Sequence, residues 1–210
     1  MALTRLGLNQ SINLATNTTG TLGVANGGTG LTSGTTNQFL KFTGSTTVAS
    51  AAVSAGITMA DVWSISTSFT GSAVPLASNW MQSNDASFDP LGSSMTQSSG
   101  IFTFPSTGFY YVTFSISTEA NALNPDIFYP IIQVTVNNSS YDDTSYGIAS
   151  QTNISSGHGQ QTTINSLIDV TNTSNVKVRF SVDGASSNVY FNGDTGRRKT
   201  YATFIRLGDT

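Results

Sequence analysis

The chain has 210 residues, of which only 9% are charged, against roughly a quarter in an ordinary soluble domain, and Ser, Thr, Asn and Gly supply close to half of it. With 38% hydrophobic and 10% aromatic residues it can still bury a core, which argues against wholesale disorder, and the length suits one β-sandwich with an appended segment or two small domains. The absence of cysteine excludes disulfides, thiolate zinc sites and thiol catalysis, the lone His158 excludes a multi-histidine metal cluster within one chain, and eight basic against eleven acidic residues leave no electrostatic footprint for nucleic acid or an anionic membrane.

No segment approaches the ~18 apolar residues of a membrane span, so no membrane insertion is expected. Met1-Ala2-Leu3-Thr4-Arg5 lacks the apolar core of a signal peptide, so the expectation is a mature chain that begins at Met1 or Ala2 and is made in a cytoplasm. Charge then divides the sequence. Residues 1–60 carry Arg5 and Lys41 and no acid, whereas residues 61–210 sum to −5, so the two parts are expected to be built differently.

The first part opens with Leu3, Arg5, Leu6, Leu8, Ile12 and Leu14 in a polar background, with neither a clean helical nor a clean strand period. It then enters a Gly/Thr tract in which glycines at 20, 23, 27, 28, 30, 34 and 44 oppose a stable helix and set turns every few residues. Leu22, Val24, Leu31, Phe39, Leu40 and Phe42 are too sparse to close a core within one chain. Two readings stand side by side: a flexible linker, or a thin shaft whose apolar residues are buried only when several copies wind together. The recurrence of large apolar residues argues against a plain linker. Residues 45–60, rich in Ala, Ser, Thr and Val, read as a connector with room for a short helix or strand.

From about Asp61 the pattern becomes short strands separated by turns. Tyr110, Val112, Phe114 and Ile116 alternate with Tyr111, Thr113 and Ser115. Val176, Val178, Phe180 and Val182 alternate with Lys177, Arg179 and Ser181. Ile132, Val134 and Val136 form a third such set, and Ile164, Ile168 and Val170 a fourth, so each strand has one buried and one wet face. Candidate strands fall near 63–70, 76–82, 94–98, 100–104, 109–118, 127–137, 144–150, 161–170, 175–183, 187–192 and 200–207. Turn signals stand at Asp89-Pro90, Asn124-Pro125, Asp183-Gly184 and Asn192-Gly193. About eight to eleven strands suit a jelly roll or a similar two-sheet sandwich.

Two local runs carry more information than composition. Gly20-Thr21-Leu22-Gly23-Val24-Ala25-Asn26-Gly27-Gly28-Thr29-Gly30 resembles the G-T-L-x-V-A-N-G-G-T-G segment of bacteriophage fibre proteins. Its continuation to Phe42 is similar to fibres of phages that infect cyanobacteria and other marine bacteria, while Gly23 departs from the commonest form, where a bulkier residue such as proline stands. Farther on, Gly100-Ile101-Phe102-Thr103-Phe104-Pro105-Ser106-Thr107-Gly108-Phe109-Tyr110-Tyr111-Val112-Thr113-Phe114 resembles the core strand pair of C1q/TNF-like domains. The closing run Tyr201-Ala202-Thr203-Phe204-Ile205-Arg206-Leu207 sits where such domains end. The resemblance implies a ten-stranded jelly roll that trimerises about a threefold axis.

The expected chain is therefore all-β and homotrimeric: a virion-anchoring segment over 1–20, a Gly/Thr-rich shaft and connector over 21–60, and a C1q/TNF-like jelly-roll knob over 61–210. Leu3, Arg5, Leu6, Leu8, Ile12 and Leu14 would dock on another virion protein. Leu22, Val24, Leu31, Phe39, Leu40 and Phe42 would form the trimer shaft. The resemblances imply a structural protein on the virion surface, in the leading reading a fibre whose outward knob adsorbs to a glycan or protein of the host surface; the alternative is a head fibre that decorates and stabilises the capsid, for which the chain's shortness beside most tail fibres speaks. A polysaccharide-degrading tailspike is the competitor of a different class.

Chemistry has few candidates. His158, in Ser155-Ser156-Gly157-His158-Gly159, has no G-x-S-x-G elbow to partner it and reads as a loop residue. Asp142-Asp143 and Asn192-Gly193-Asp194 lack the alternation of an EF-hand loop and read as turns, so no metal or other cofactor is expected. Glu119, Asp126 and Asp169 would act as glycosidase carboxylates only if the fold paired them. Arg197-Arg198-Lys199, the one concentrated charge, reads as a solvated tip or as a contact to an anionic partner. Trp63, Trp80, Phe88 and Tyr141 are either core or sugar-stacking residues.

Overall fold

A computed structural model describes residue 29, residue 31 and residues 33–52, 56–83, 88–120, 126–151 and 158–210. The anchor residues Leu3, Arg5, Leu6, Leu8, Ile12 and Leu14, the shaft residues Leu22 and Val24 and the Asn124-Pro125 turn lie outside them. The chain divides into two units, Met1–Ala55 and Gly56–Thr210.

In the first unit the described structure centres on one antiparallel hairpin, β1 (Gln38–Gly44) with β2 (Thr47–Ala52), in which Phe39 faces Ala51, Leu40 faces Ser50 and Phe42 faces Val48. The connector therefore supplies a strand. Every residue of β1 is exposed, and Phe42 is 69% exposed. An isolated two-stranded hairpin is at best marginal in water, so this unit lacks a core of its own among the described residues.

The second unit is a two-sheet sandwich with no helix among its described residues. Its strands are β3 (Met59–Ile65), β4 (Phe69–Thr70), β5 (Trp80–Gln82), β6 (Thr96–Ser98), β7 (Ile101–Thr103), β8 (Gly108–Ala120), β9 (Asp126–Thr135), β10 (Asp142–Tyr146), β11 (Ala149–Gln151), β12 (Gly159–Val170), β13 (Lys177–Asp183), β14 (Val189–Phe191) and β15 (Tyr201–Gly208). The long β8 organises one sheet: β12 pairs along its whole length on one edge, while β15 and β14 share the other. Beyond them come β3 on β15, β5 on β3, and β4 on β14. The second sheet runs β10, β9, β13, β7, β6, with β11 also on β9. All pairs are antiparallel, and strands distant in sequence lie side by side.

The core fills the space between the sheets, and period-two alternation decides what enters it. Tyr110, Val112, Phe114 and Ile116 come from β8, and Val178, Phe180 and Val182 from the facing β13. Phe180 meets Phe114 at 4.8 Å, Phe102 at 5.5 Å and Phe204 at 5.9 Å between ring centres, with Trp80 closing the cluster at 5.5 Å. The two strands of the motif around Gly100–Phe114 do not pair with each other. Strand β7 bonds to β6 and β13 while β8 lies in the opposite sheet, and their aromatics meet across the core, Phe104 against Tyr110 at 4.7 Å.

Several strand readings are corrected. Val136 is 68% exposed, because β9 ends at Thr135, where the Thr135 Oγ1 and Asn137 Oδ1 atoms accept loop amides and Asn138 turns at φ +56°. The run 63–70 begins at Met59 and splits into β3 and β4, and 144–150 splits at Gly147, whose amide bonds to the Pro130 carbonyl. The run 76–82 pairs only from Trp80, since the Leu76 amide leaves the sheet to bond to the Phe180 carbonyl. Between β6 and β7, Ser99 and Gly100 both adopt positive φ, the geometry of a type I′ hairpin turn.

Candidate functional site

The outward face of the β8 sheet is the surface most unlike an ordinary wet exterior. Strands β12, β8, β15 and β3 lie side by side, and their register aligns Leu167, Tyr111, Ile205 and Ala60 in one row. The next row holds Asn165, Thr113, Thr203 and Val62, and the third Thr163, Ser115, Tyr201 and Ser64. These twelve positions carry no charge. Leu167 is 68% exposed, Tyr111, Ile205 and Tyr201 are half-buried, and exposed Phe109 extends the apolar row along β8. Hydroxyls pair among themselves, with Ser115 Oγ 2.8 Å from Thr163 Oγ1 and Ser64 Oγ 2.8 Å from Ser83 Oγ. Depletion of charge with aromatic and aliphatic enrichment is the signature of an interface centre.

The shaft candidates give a second apolar surface in the first unit. Leu40 and Phe42 share one face of β1 and Phe39 takes the other, all three exposed, while Leu31 is half-buried. Val48, Ala49, Ser50 and Ala51 of β2 are half-buried, and the Thr35 amide donates to Ser50 Oγ at 3.2 Å, so the open apolar surface of the hairpin is that of β1.

Beneath the start of β3 lies a buried carboxylate that composition did not single out. Asp61 is fully buried and accepts from the Val62 amide at 2.8 Å, the Met95 amide at 2.8 Å, Trp63 Nε1 at 3.0 Å and Gln82 Nε2 at 3.0 Å. Its work is structural: it ties β3, β5 and the segment before β6 together. This also settles two of the aromatic candidates. Trp63 packs edge-on against Phe102, and Trp80 is a core residue whose Nε1 donates to the Leu76 carbonyl at 2.7 Å. Phe88 lies under the Arg198 guanidinium at 4.9 Å, and Tyr141 under that of Arg179 at 4.0 Å, where burial raises the phenol pKa and Arg179 partly offsets it.

The remaining candidates are dispersed. Glu119 pairs with Gly159 at one end of the β8–β12 ladder and Asp169 with Phe109 at the other. Ten strand residues separate them by about 33 Å, far beyond the ~5–9.5 Å of a glycosidase carboxylate pair. Asp126 accepts from the Ser186 amide and hydroxyl at 2.8 and 2.6 Å and secures that turn. Asp142 and Asp143 stand on β10 rather than in a loop, Asp143 accepting from Gln133 Nε2 at 2.8 Å. Among the described residues no three His, Asp or Glu side chains gather as a metal site. Asp194 is held below its ordinary pKa, chiefly by the Gly196 amide and further by Lys199 and Arg197. The basic cluster is split: Lys199 lies 3.7 Å from Asp194, Arg198 stacks on Phe88, and Arg197 is exposed. His158 is exposed at the entry to β12, its carbonyl accepting from Gln151 Nε2 at 2.7 Å.

No protein-family model matches the sequence, and no curated protein matches it. Solved structures do. Murine APRIL at pH 5.0 superposes with a TM-score of 0.51 at 9% identity, over 71% of this chain and 98% of its own. Eiger TNF from S. frugiperda gives 0.50 at 12% identity, over 74% and 96%. The PRD1 vertex protein P5 aligns over 73% of this chain and all of its own at 16% identity, with a TM-score of 0.44, too loose to place this chain. The likeness to APRIL and Eiger is one of fold, and on it the sandwich is a TNF-like jelly roll.

Proposed function

We propose that the chain is a non-enzymatic structural protein of a virion, a homotrimeric fibre whose residues 1–20 dock on the particle and whose jelly roll faces outward to adsorb to the host surface. The observation that carries the trimer is the uncharged face on which Leu167 is exposed and Tyr111, Ile205 and Tyr201 stay half-exposed, while Val62, Ser64 and Ser115 on the same face are already buried within the chain. A threefold arrangement buries that face on every copy at once. It also brings three β1–β2 hairpins to high local concentration, where Phe39, Leu40 and Phe42 can bury against one another. The virion assignment is supported by the wording of Gly20–Phe42. Adsorption then works by avidity, weak contacts at one knob being multiplied over three chains and many fibres.

Sedimentation of the purified full chain tests the trimer: a mass near three chains is expected, and a monomer at micromolar concentration overturns it. Immunogold against residues 61–210 on phage particles tests location. Gold on the tail is expected; gold over the head replaces adsorption with capsid decoration, and unlabelled particles overturn the virion assignment.

A further inference from the structure

The outward face of the other sheet carries a built aromatic platform. Tyr146 on β10 and Tyr129 on β9 stack with ring centres 5.2 Å apart and planes 30° from parallel. Tyr129 in turn rests on the backbone of Gly184, where an added Cβ would stand 2.8 Å from two of its ring carbons. Gly184 holds φ +72°, a conformation that suits glycine, so the turn after β13 is shaped to receive the ring. The result is a three-layer stack of Gly184, Tyr129 and Tyr146. With one face on Tyr129 and the residue 53% exposed, Tyr146 presents its other face to solvent.

Polar groups flank the stack on both sides. Asp183 lies directly across from Tyr129 on β13, and Asp143 stands three residues before Tyr146 on β10, opposite Gln133 where Tyr146 is opposite Ile131. Desolvation first, and then Tyr129, Asp183 and Asp143, raise the Tyr146 hydroxyl above its ordinary pKa. Asp143 is oriented rather than loose: Gln133 Nε2 donates to it at 2.8 Å, and the Gln133 Oε1 accepts from Arg179 Nε and Ser181 Oγ, each at 2.9 Å. Gln133 is itself buried.

We propose that this platform is a binding site for an uncharged sugar unit of a glycan chain, its C–H face on the Tyr146 ring and its hydroxyls donating to Asp143 and Asp183. Carboxylates accept from paired hydroxyls, and an amphipathic ring stacks on a flat aromatic surface. An ammonium ligand fits less well. A cation cage needs rings placed around the charge, whereas these two rings stack on each other and offer one plane. The inference deepens the adsorption reading and rests on it only for the origin of the glycan.

The test is calorimetric titration of the full chain with maltohexaose, cellohexaose, mannohexaose and chitohexaose, and with choline and hexalysine as cationic probes. At least one hexasaccharide should bind saturably. Tyr146→Ala should weaken it at least about tenfold, Asp143→Asn and Asp183→Asn should weaken it as well, and Tyr146→Phe should largely retain it, all with an unchanged melting midpoint. Binding of none of the four sugars, binding of the cationic probes alone, or sugar binding indifferent to Tyr146→Ala overturns the proposal. Sedimentation of the same samples separates the two readings: a trimer that binds no sugar fails this one, and a monomer that binds sugar fails the trimer.

Discussion

Leu167 offers the sharpest test of the interface, because it is large, apolar and 68% exposed in the apolar row it forms with Tyr111 and Ile205. Full burial of a leucine is worth about 1.5–3 kcal/mol relative to exposure, so covering the remaining two-thirds contributes about 1–2 kcal/mol per chain and about 3–6 kcal/mol per trimer. Leu167→Ala removes most of that, about 2–4 kcal/mol, which weakens the three-chain equilibrium about 30- to 700-fold. A monomer–trimer midpoint varies as the square root of that constant, so the expected shift in protein concentration is about 5- to 30-fold. Sedimentation equilibrium over a dilution series reads it. Monomer stability should stay within about 0.5 kcal/mol, since the side chain is solvated before assembly. Leu167→Glu, which brings three carboxylates onto an uncharged face, should leave monomer wherever wild type is trimeric. Ile148, 72% exposed beyond β10 and off this face, is the control, and Ile148→Ala should move nothing. An unshifted midpoint in both Leu167 variants would refute the assignment of this face.

Three further predictions concern the scaffold. Asp61→Ala leaves the Trp63 indole and the Met95 amide without their acceptor, and urea denaturation should show a loss of about 2–4 kcal/mol with β3, β5 and the β6 approach loosened first in hydrogen exchange. Gly100→Ala places a Cβ 2.3 Å from the Leu76 carbonyl oxygen at φ +77°, so it should cost more than about 1 kcal/mol, read as a lowered melting midpoint; an unchanged midpoint would contradict the turn geometry. Asp194 has a lowered pKa in the fold, so the folded state binds its proton less readily than the unfolded chain; its contribution is complete above the ordinary 3.8 and is lost as pH falls through the lowered value. Asp194→Asn should therefore flatten the acid limb of stability against pH below about 4 and leave the neutral region unchanged.

How much of this was legible in the sequence follows from what alternation encodes. A period of two states which residues share a face, so Tyr110, Val112, Phe114 and Ile116 could be assigned to a core, and all four are fully buried. It does not state which strands are neighbours. The face that matters for assembly exists only because β12 and β15 flank β8 in a register that puts Leu167, Tyr111 and Ile205 abreast, and those residues come from segments far apart in the chain. Ser115 shows the same limit: alternation calls it wet, yet it is buried beside Thr163, because its environment is set by the neighbouring strand and not by its own. The aromatics divide in the same way. Trp80 and Tyr141 drew notice as types of residue, but one is core and the other is a shelf for Arg179. Tyr129 and Tyr146 drew none, since seventeen positions separate them and the stack depends on the Gly184 turn from a third strand. What single-chain patterning conveys is burial, and what function needs here is adjacency across strands, which only the pairing of β8 with β12 and of β9 with β10 and β13 supplies.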